Sequence, residues 1–303
     1  MIVRDKSNLL VLLFSWHGTI LPTVLPALLG VILISAIISF ISVTHLVALP
    51  EVPAFGFTIF GVILSIFLGF KNNACYDRWW EGRKLWGSMI ANIRHLDRET
   101  LVLSSERRER VLSNVILFTS LLRDRLRYQT AHPTEFLEFS HLDDTEKNKI
   151  YDHLNPPQYA LNLIQKELID ALKQGEISDI VYGIIIKHVV ELGNVQAGCD
   201  RIASTPLPYS YSVLLNRAVY FFCLILPFSL PLVLGLWTPL LIGLIAYLFL
   251  GLDALSSQLE EPFGTQDNDL PLDSMVRLME RELLTAMGKS IPPALTAEQH
   301  RLL

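Results

Sequence analysis

The chain has 303 residues, of which 51% are hydrophobic and only 18% are charged, and its formal net charge is −5. Its mean hydropathy of +0.38 is too high for an ordinary soluble enzyme, and its negative charge argues against a nucleic-acid-binding protein. Three cysteines without CxxC spacing indicate neither a zinc knuckle nor a disulfide framework.

Two uncharged stretches near the start of the chain predict two membrane crossings. No charged residue occurs from 7 to 50 or from 52 to 70, and about 20 apolar residues suffice for a helix to cross a bilayer. We expect residues 1–20 to form an N-terminal interfacial segment and residues 21–72 to hold transmembrane helices 1 and 2. The turn between these helices, Pro50-Glu51-Val52-Pro53, is bracketed by prolines.

Residues 73–212 mix basic and acidic side chains and predict a cytoplasmic helical domain. Within it, Val111–Leu122 is uncharged but too short to span a bilayer, so it predicts a buried helix. Residues further along recur at the spacing of one helix face: Leu161, Ile164, Leu168 and Leu172.

The third uncharged stretch, residues 218–252, is about twice as long as one crossing requires. Trp237-Thr238-Pro239 lies in its middle and indicates a turn between two helices. We therefore expect transmembrane helices 3 and 4 within residues 213–255, followed by a cytoplasmic tail over residues 256–303.

The tail contains one amphipathic segment. Val276, Met279, Leu283 and Met287 lie at helical spacing before Gly288, and either Asp273 or Ser274 is expected to cap this helix. Its apolar face is suited equally to packing on its own chain and to docking a partner.

The complete pattern predicts an all-α integral membrane protein with four transmembrane helices. Basic residues precede the first crossing and follow the second, whereas the two short turns between crossings contain none. By the positive-inside rule, both termini and the middle domain are expected to be cytoplasmic.

The second crossing carries two stripes of different size. Gly61, Ser65 and Gly69 recur every four residues and allow helices to approach closely, while the bulky residues Val62, Ile66 and Phe70 lie about 100° further round the helix. Periodicity alone favours ordinary membrane packing of both stripes over a bulky stripe that lines a lumen.

Several motifs resemble the bestrophin family. The second crossing continues through a Gly69-Phe70 step into Arg78-Trp79-Trp80, as in the family's pore helix. Trp16-His17-Gly18-Thr19-Ile20 is similar to the family's N-terminal segment, and Glu261-Pro262-Phe263-Gly264 is similar to the motif after its last crossing. The resemblance extends over about residues 8–290 and is greatest to short prokaryotic members.

This resemblance implies a homopentameric ion channel in a bacterial inner membrane, with one continuous central pore. Val62, Ile66 and Phe70 match the family's hydrophobic neck, which can gate by dewetting. The family's second constriction, at the cytoplasmic exit, corresponds to Ile180.

The expected ions are small, monovalent and preferably cations such as sodium, as in bacterial bestrophins. Glu51 in the outer turn could form an acidic ring in an oligomer, and the acidic C-terminal segment predicts a negative cytoplasmic mouth. The alternative is a chloride-conducting channel, as in animal bestrophins, if these carboxylates face away from the pore.

Asp267 and Asp269 form a possible weak site for a divalent cation, or else a solvated turn, and no cofactor is required. The spacing of the histidines and the absence of nucleotide-binding loops give no support to an enzyme. A secondary transporter and a membrane-anchored scaffold remain as less favoured alternatives, since no internal repeat is visible.

Overall fold

The computed structural model describes residues 1–2, 15–16, 18–45, 54–129, 142, 144–230, 235–297 and 300–302. These residues form helices, with one isolated bridge between Ile2 and Arg301 and no strand in the described ranges. The α-helices are α1 Leu21–Val43, α2 Ala54–Glu99, α3 Ser105–Leu126, α4 Asp144–Asp152, α5 Pro156–Lys173, α6 Asp179–Ser204, α7 Tyr209–Ile225, α8 Thr238–Glu260 and α9 Leu272–Ala286.

Four segments are long and apolar enough to cross a membrane: Leu21–Val43, Phe55–Val102, Tyr209–Phe228 and Gly235–Glu260. They confirm the four predicted crossings by length and composition. A short 3-10 turn, Gly235–Trp237, precedes α8, as the Trp237-Thr238-Pro239 signal predicts. The helix of the second crossing is longer than expected, because α2 continues without interruption to Glu99.

The chain divides into two compact units, and α2 contributes to both. We call residues 4–79 with 206–261 the spanning unit, and residues 1–3, 80–205 and 262–303 the polar unit.

In the spanning unit, α1 packs along α8 and both contact α7. A Cβ atom on Gly243 would lie 3.0 Å from Ile32 Cδ1, so glycine allows the close approach of α1 and α8. The core of this unit is apolar and comprises Val24, Leu28, Val31, Leu64, Leu215, Val219, Phe222, Cys223, Leu226, Ile242, Ala246 and Leu250.

In the polar unit, α3 is the central helix and packs against α5, α6 and α9. Its residues from Val111 to Thr119 are all buried, which confirms the predicted buried helix and agrees with its lack of a polar face. On α5, Leu161, Ile164 and Leu168 are buried as their spacing predicts. Asn155 accepts a hydrogen bond from the backbone N–H of Gln158 and caps this helix.

Helix α9 packs on α3 of the same chain. Its buried residues include Val276, Met279 and Leu283, as the amphipathic pattern predicts. The predicted cap was wrong: the helix begins at Leu272, and the flanking Pro271 provides no side-chain cap. Asp273 lies inside the first turn and instead binds Arg127, with Oδ2 2.7 Å from Nη1.

Candidate functional site

One face of α2 is buried within the spanning unit. Leu64, Leu68 and Lys71 are at most 3% exposed, and Cys75 is fully buried. These positions are separated by four, three and four residues and therefore lie on a single side of the helix. This face anchors α2 to its own chain.

The predicted neck residues lie outside that buried face. Val62 is 55% exposed, Ile66 51% and Phe70 61%, although all three are large and apolar. They extend over eight residues, or about 12 Å of helix. Within the described residues, an uncharged, bulky stripe is therefore left without a covering partner, as expected for a surface that faces a pore, lipid or another subunit.

The small residues Gly61, Ser65 and Gly69 lie in different surroundings. A Cβ atom on Gly61 would lie 3.3 Å from Phe222 Cζ, so this glycine allows α7 to approach α2 closely. Ser65 donates a hydrogen bond to the carbonyl of Gly61 at 2.7 Å. Around Gly69 no atom of the described residues comes within 4 Å of the Cβ position, which leaves space there for a neighbouring helix.

Ile180 lies in the polar unit, at the beginning of α6. It is 72% exposed, so it is not part of the core of its own chain. Ser178 Oγ accepts a hydrogen bond from the N–H of Val181 and fixes the start of the helix. Ile184, one turn later, is 44% exposed and extends the same apolar face.

The structure gives a different result for each of the predicted acidic site residues, Glu51, Asp267 and Asp269. Glu51 lies outside the described residues. Asp267 Oδ1 lies 3.4 Å from Nε of Arg301. Asp269 is 2% exposed, and its Oδ2 accepts a hydrogen bond from the N–H of Gln266 at 2.7 Å. A divalent cation at Asp267 and Asp269 stays a prediction.

Among the described residues from 253 to 302, arginine and lysine side chains pair with several of the carboxylates. Asp253 binds Lys71, and Asp273 lies near both Arg123 and Arg127. Further pairs are Arg301 with Asp267, Arg277 with Glu280, and Arg94 with Glu282. These pairs balance part of the negative charge counted along this segment.

Sequence reasoning missed a buried polar network in the spanning unit. Lys71 Nζ lies 2.8 Å from Asp253 Oδ1, and Asn216 Nδ2 donates to Asp253 Oδ2 at 2.9 Å. The signal was present, because opposite charges end the uncharged stretches of the second and fourth crossings. Polar groups at such positions are expected to pair rather than face lipid.

A second charged network lies in the polar unit. Arg107, which is 6% exposed, binds Glu176 Oε2 at 2.7 Å and Gln174 Oε1 at 2.7 Å. The backbone N–H of Ser104 also donates to Glu176. This hydrogen bond, followed by those from the Ser104 side chain and Arg107, lowers the pKa of the Glu176 carboxyl below its ordinary value of 4.5.

Comparison with known proteins identifies the family. The model of the Bacterial/Fungal Bestrophin protein family matches residues 1–285. A voltage-dependent anion channel-forming protein of Mesorhizobium japonicum is 38% identical over 301 residues, covering 99% of this chain and 96% of its own length. The protein of the same description from Escherichia coli K12, YneE, is 37% identical, with 99% of each chain covered.

The fold is also that of solved bestrophin structures. The crystal structure of a bacterial bestrophin homologue from Klebsiella pneumoniae matches with a TM-score of 0.81 and 34% identity, over 88% of this chain and 99% of that chain. The agreement extends over sequence, helix order and three-dimensional arrangement. The chain is therefore an integral membrane protein that belongs to the bacterial and fungal bestrophin family.

Proposed function

We propose that this protein is an oligomeric channel in which copies of α2 surround a hydrophobic neck for small monovalent ions. One observation carries the proposal: Val62, Ile66 and Phe70 remain exposed while the opposite part of α2 is fixed to its own chain. An apolar ring of this kind excludes water when narrow and conducts ions when it widens enough to be wetted. The family and its named relatives indicate a channel rather than an enzyme.

A single chain has too few crossings to enclose such a path, so the proposal requires several copies. The exposed arc of α2 also includes Ile63 and Phe67, which are 47% and 46% exposed. These residues flank the neck stripe and are suited to contacts between neighbouring copies of α2. The resemblance to bestrophins supports five copies around one pore.

We propose anions, with chloride as the reference ion, as the conducted species. Relatives that align with nearly the whole chain are named anion channel-forming proteins. The expectation of cations followed bacterial bestrophins and was supported by Glu51, which lies outside the described residues, and by acidic C-terminal residues, some of which arginines pair within the chain. The pairing weakens the electrostatic argument for a cation-selective mouth.

The proposed orientation places both termini and the polar unit in the cytoplasm of a bacterial inner membrane. Lys71 and the basic residues after it support this side, because the positive-inside rule favours basic residues there. Ile180, exposed at the beginning of α6, is the proposed cytoplasmic aperture.

The test is ion flux through the purified protein in planar bilayers and liposomes. Alanine at Val62, Ile66 and Phe70 together is expected to raise the open conductance, because smaller side chains widen the neck. The control carries alanine at three lipid-suited positions with similar exposure, Leu33, Leu244 and Leu248, and should conduct as the wild type does. Equal conductance of both variants in intact oligomers would exclude α2 as the pore wall.

Reversal potentials in asymmetric potassium chloride then decide the ion. A shift towards the chloride equilibrium potential supports the proposal, and a shift towards the potassium potential supports the cation alternative. Saturating, coupled flux would instead indicate a transporter, and the absence of flux would indicate a scaffold.

A further inference from the structure

Two histidines and one glutamate meet between α2 and α6 in the polar unit. His95 and Glu99 lie one turn apart on α2, and His188 faces them from α6. One potential ligand atom of each residue lies within 4.8 Å of those of the other two. The two imidazole rings are nearly parallel, with centroids 5.1 Å apart.

The two helices run antiparallel at this position, which holds the three side chains together from both sides. A Cβ atom on Gly198 of α6 would lie 2.9 Å from Leu85 Cδ1 on α2, so α2 packs closely on α6 about three turns away. Glu81 and Arg201 pair beyond that contact. The distance between His95 and His188 is thus set by helix packing and not by a mobile loop.

The hydrogen bonds of His188 determine which of its ring nitrogens has a lone pair available to bind a cation. Asn92 Nδ2 donates to the carbonyl of Ser88 at 3.0 Å, so its Oδ1 is an acceptor. This oxygen lies 2.9 Å from His188 Nδ1, which must therefore carry the proton of that hydrogen bond. The lone pair of the neutral ring is then on Nε2 and points towards Glu99.

Glu99 and His188 consequently present two acceptors to each other. Glu99 Oε2 lies 3.1 Å from His188 Nε2, and this oxygen is buried without a hydrogen bond of acceptable geometry among the described residues. A carboxylate oxygen and an imidazole lone pair at this separation require a cation between or beside them. Either a proton on Nε2 or a metal ion meets this requirement.

His95 is the third side chain of the cluster. Arg98 Nη2 lies 2.8 Å from His95 Nδ1, and a guanidinium group only donates hydrogen bonds. That nitrogen of His95 therefore already faces a cationic donor. Arg98 is exposed and can turn away when a metal ion replaces it.

We propose that His95, Glu99 and His188 form a binding site for a divalent transition metal ion of the zinc class. Two imidazole nitrogens and one carboxylate oxygen are a known zinc ligand set, with water completing a tetrahedron, and imidazole favours such metals over calcium or magnesium. Ligand atoms around zinc lie about 3.3 Å apart, so small side-chain rotations suffice. Asn92 orients His188 through its second nitrogen, as partners of metal-bound histidines commonly do.

The proposal is tested by zinc titration of the full-length, chelator-treated protein in detergent, followed by calorimetry. We expect saturable binding of one zinc ion per chain, weakened ~10-fold or more by His188→Ala and by His95→Ala. The matched control is His45→Gln, which removes an exposed histidine of the spanning unit and should bind zinc as the wild type does. Unchanged affinity in both alanine variants would overturn the site.

Two further measurements separate metal binding from a folding defect. Asn92→Ala leaves all three ligands in place and is expected to weaken zinc binding ~10–100-fold while the protein remains an intact oligomer. X-ray absorption at the zinc edge should show two imidazole ligands in the wild type. A coordination shell without imidazole, or the absence of saturable binding by well-folded wild type, would show that the proton alone occupies the position between His188 and Glu99.

Discussion

Lys71 and Asp253 form an ion pair that is almost inaccessible to solvent, with 2% and 7% of the two residues exposed. Asn216 binds the second carboxylate oxygen. Each of α2, α7 and α8 contributes one member, so the network fixes the axial positions of three helices relative to one another. The opposite charges that end the second and fourth crossings are the sequence feature that indicates this network.

Removal of one partner should destabilise the protein strongly. Lys71→Met leaves Asp253 buried with only Asn216 to compensate its charge, and a broken buried pair costs about 3–5 kcal/mol. Thermal unfolding in detergent is expected to show a clear loss of stability. The double variant with Asp253→Leu should recover most of it, because no buried charge then remains. A double variant as unstable as the single one would contradict this account.

A polar substitution in the neck should make wetting easier. Ile66→Thr replaces an exposed apolar side chain with one that can hydrogen-bond to water, so the open probability at low voltage is expected to rise. Single-channel recording measures this directly. Leu244→Thr on α8, at a similarly exposed position, serves as the control. An identical response of both variants would argue against the neck.

At the proposed cytoplasmic aperture, Ile180→Ala should change the permeability ratios between small and large anions, because a smaller side chain widens the constriction. Bi-ionic reversal potentials provide the measurement. Leu154→Ala removes a side chain that is 95% exposed and should leave the ratios as in the wild type. Unchanged ratios in Ile180→Ala would place the aperture elsewhere.

The stability contributed by Glu176 should depend on pH. Its pKa is lower in the folded protein than its ordinary value, so the folded state binds fewer protons, and the contribution is complete above about pH 4.5 and declines as the pH falls through the folded pKa. Glu176→Gln is therefore expected to cost about 1 kcal/mol at pH 7 and progressively less in acid. Glu106→Gln, at a side chain that is 88% exposed, should show no comparable trend in thermal unfolding from pH 7 to 4.

The end of α9 depends on a left-handed glycine. Gly288 has φ +69°, and the N–H groups of Gly288 and Lys289 bind the carbonyls of Thr285 and Leu284, which is a Schellman motif. Gly288→Ala should cost about 1–2 kcal/mol. Gly183→Ala, inside α6 and with space around its Cβ position, should instead be neutral or stabilising. Denaturation midpoints compare the two, and equal effects would refute the backbone argument.

The crossings were predictable because hydropathy depends on composition alone. The length of α2 was not, since hydropathy falls after Phe70 while the helix continues to Glu99. Nor could periodicity identify Leu64 and Leu68 as the buried face, because Ile66 and Phe67 between them are equally apolar. Only packing in three dimensions distinguishes the face that contacts the chain from the stripe that stays exposed.

The candidate sites were predictable to different extents. The neck residues were predicted from size and spacing together with the family resemblance, and the neck itself stays a proposal. The histidine cluster did not follow, because His95 and His188 are distant in sequence and no histidine pair has metal-ligand spacing. The acidic tail favoured cations in a charge count that did not include partners outside the tail, such as Arg127, and the conducted ion stays a proposal.

The apolar character of the α2 stripe of Val62, Ile66 and Phe70 also affects insertion of the chain into the membrane. A newly inserted copy can rest its valine, isoleucine and phenylalanine against acyl chains without stranding a polar surface in hydrocarbon. Assembly of the proposed oligomer would then gain little from the hydrophobic effect, because lipid tails are as apolar as the partner helix. In that oligomer the copies would have to recognise each other through close steric fit, for which the open side of Gly69 is available.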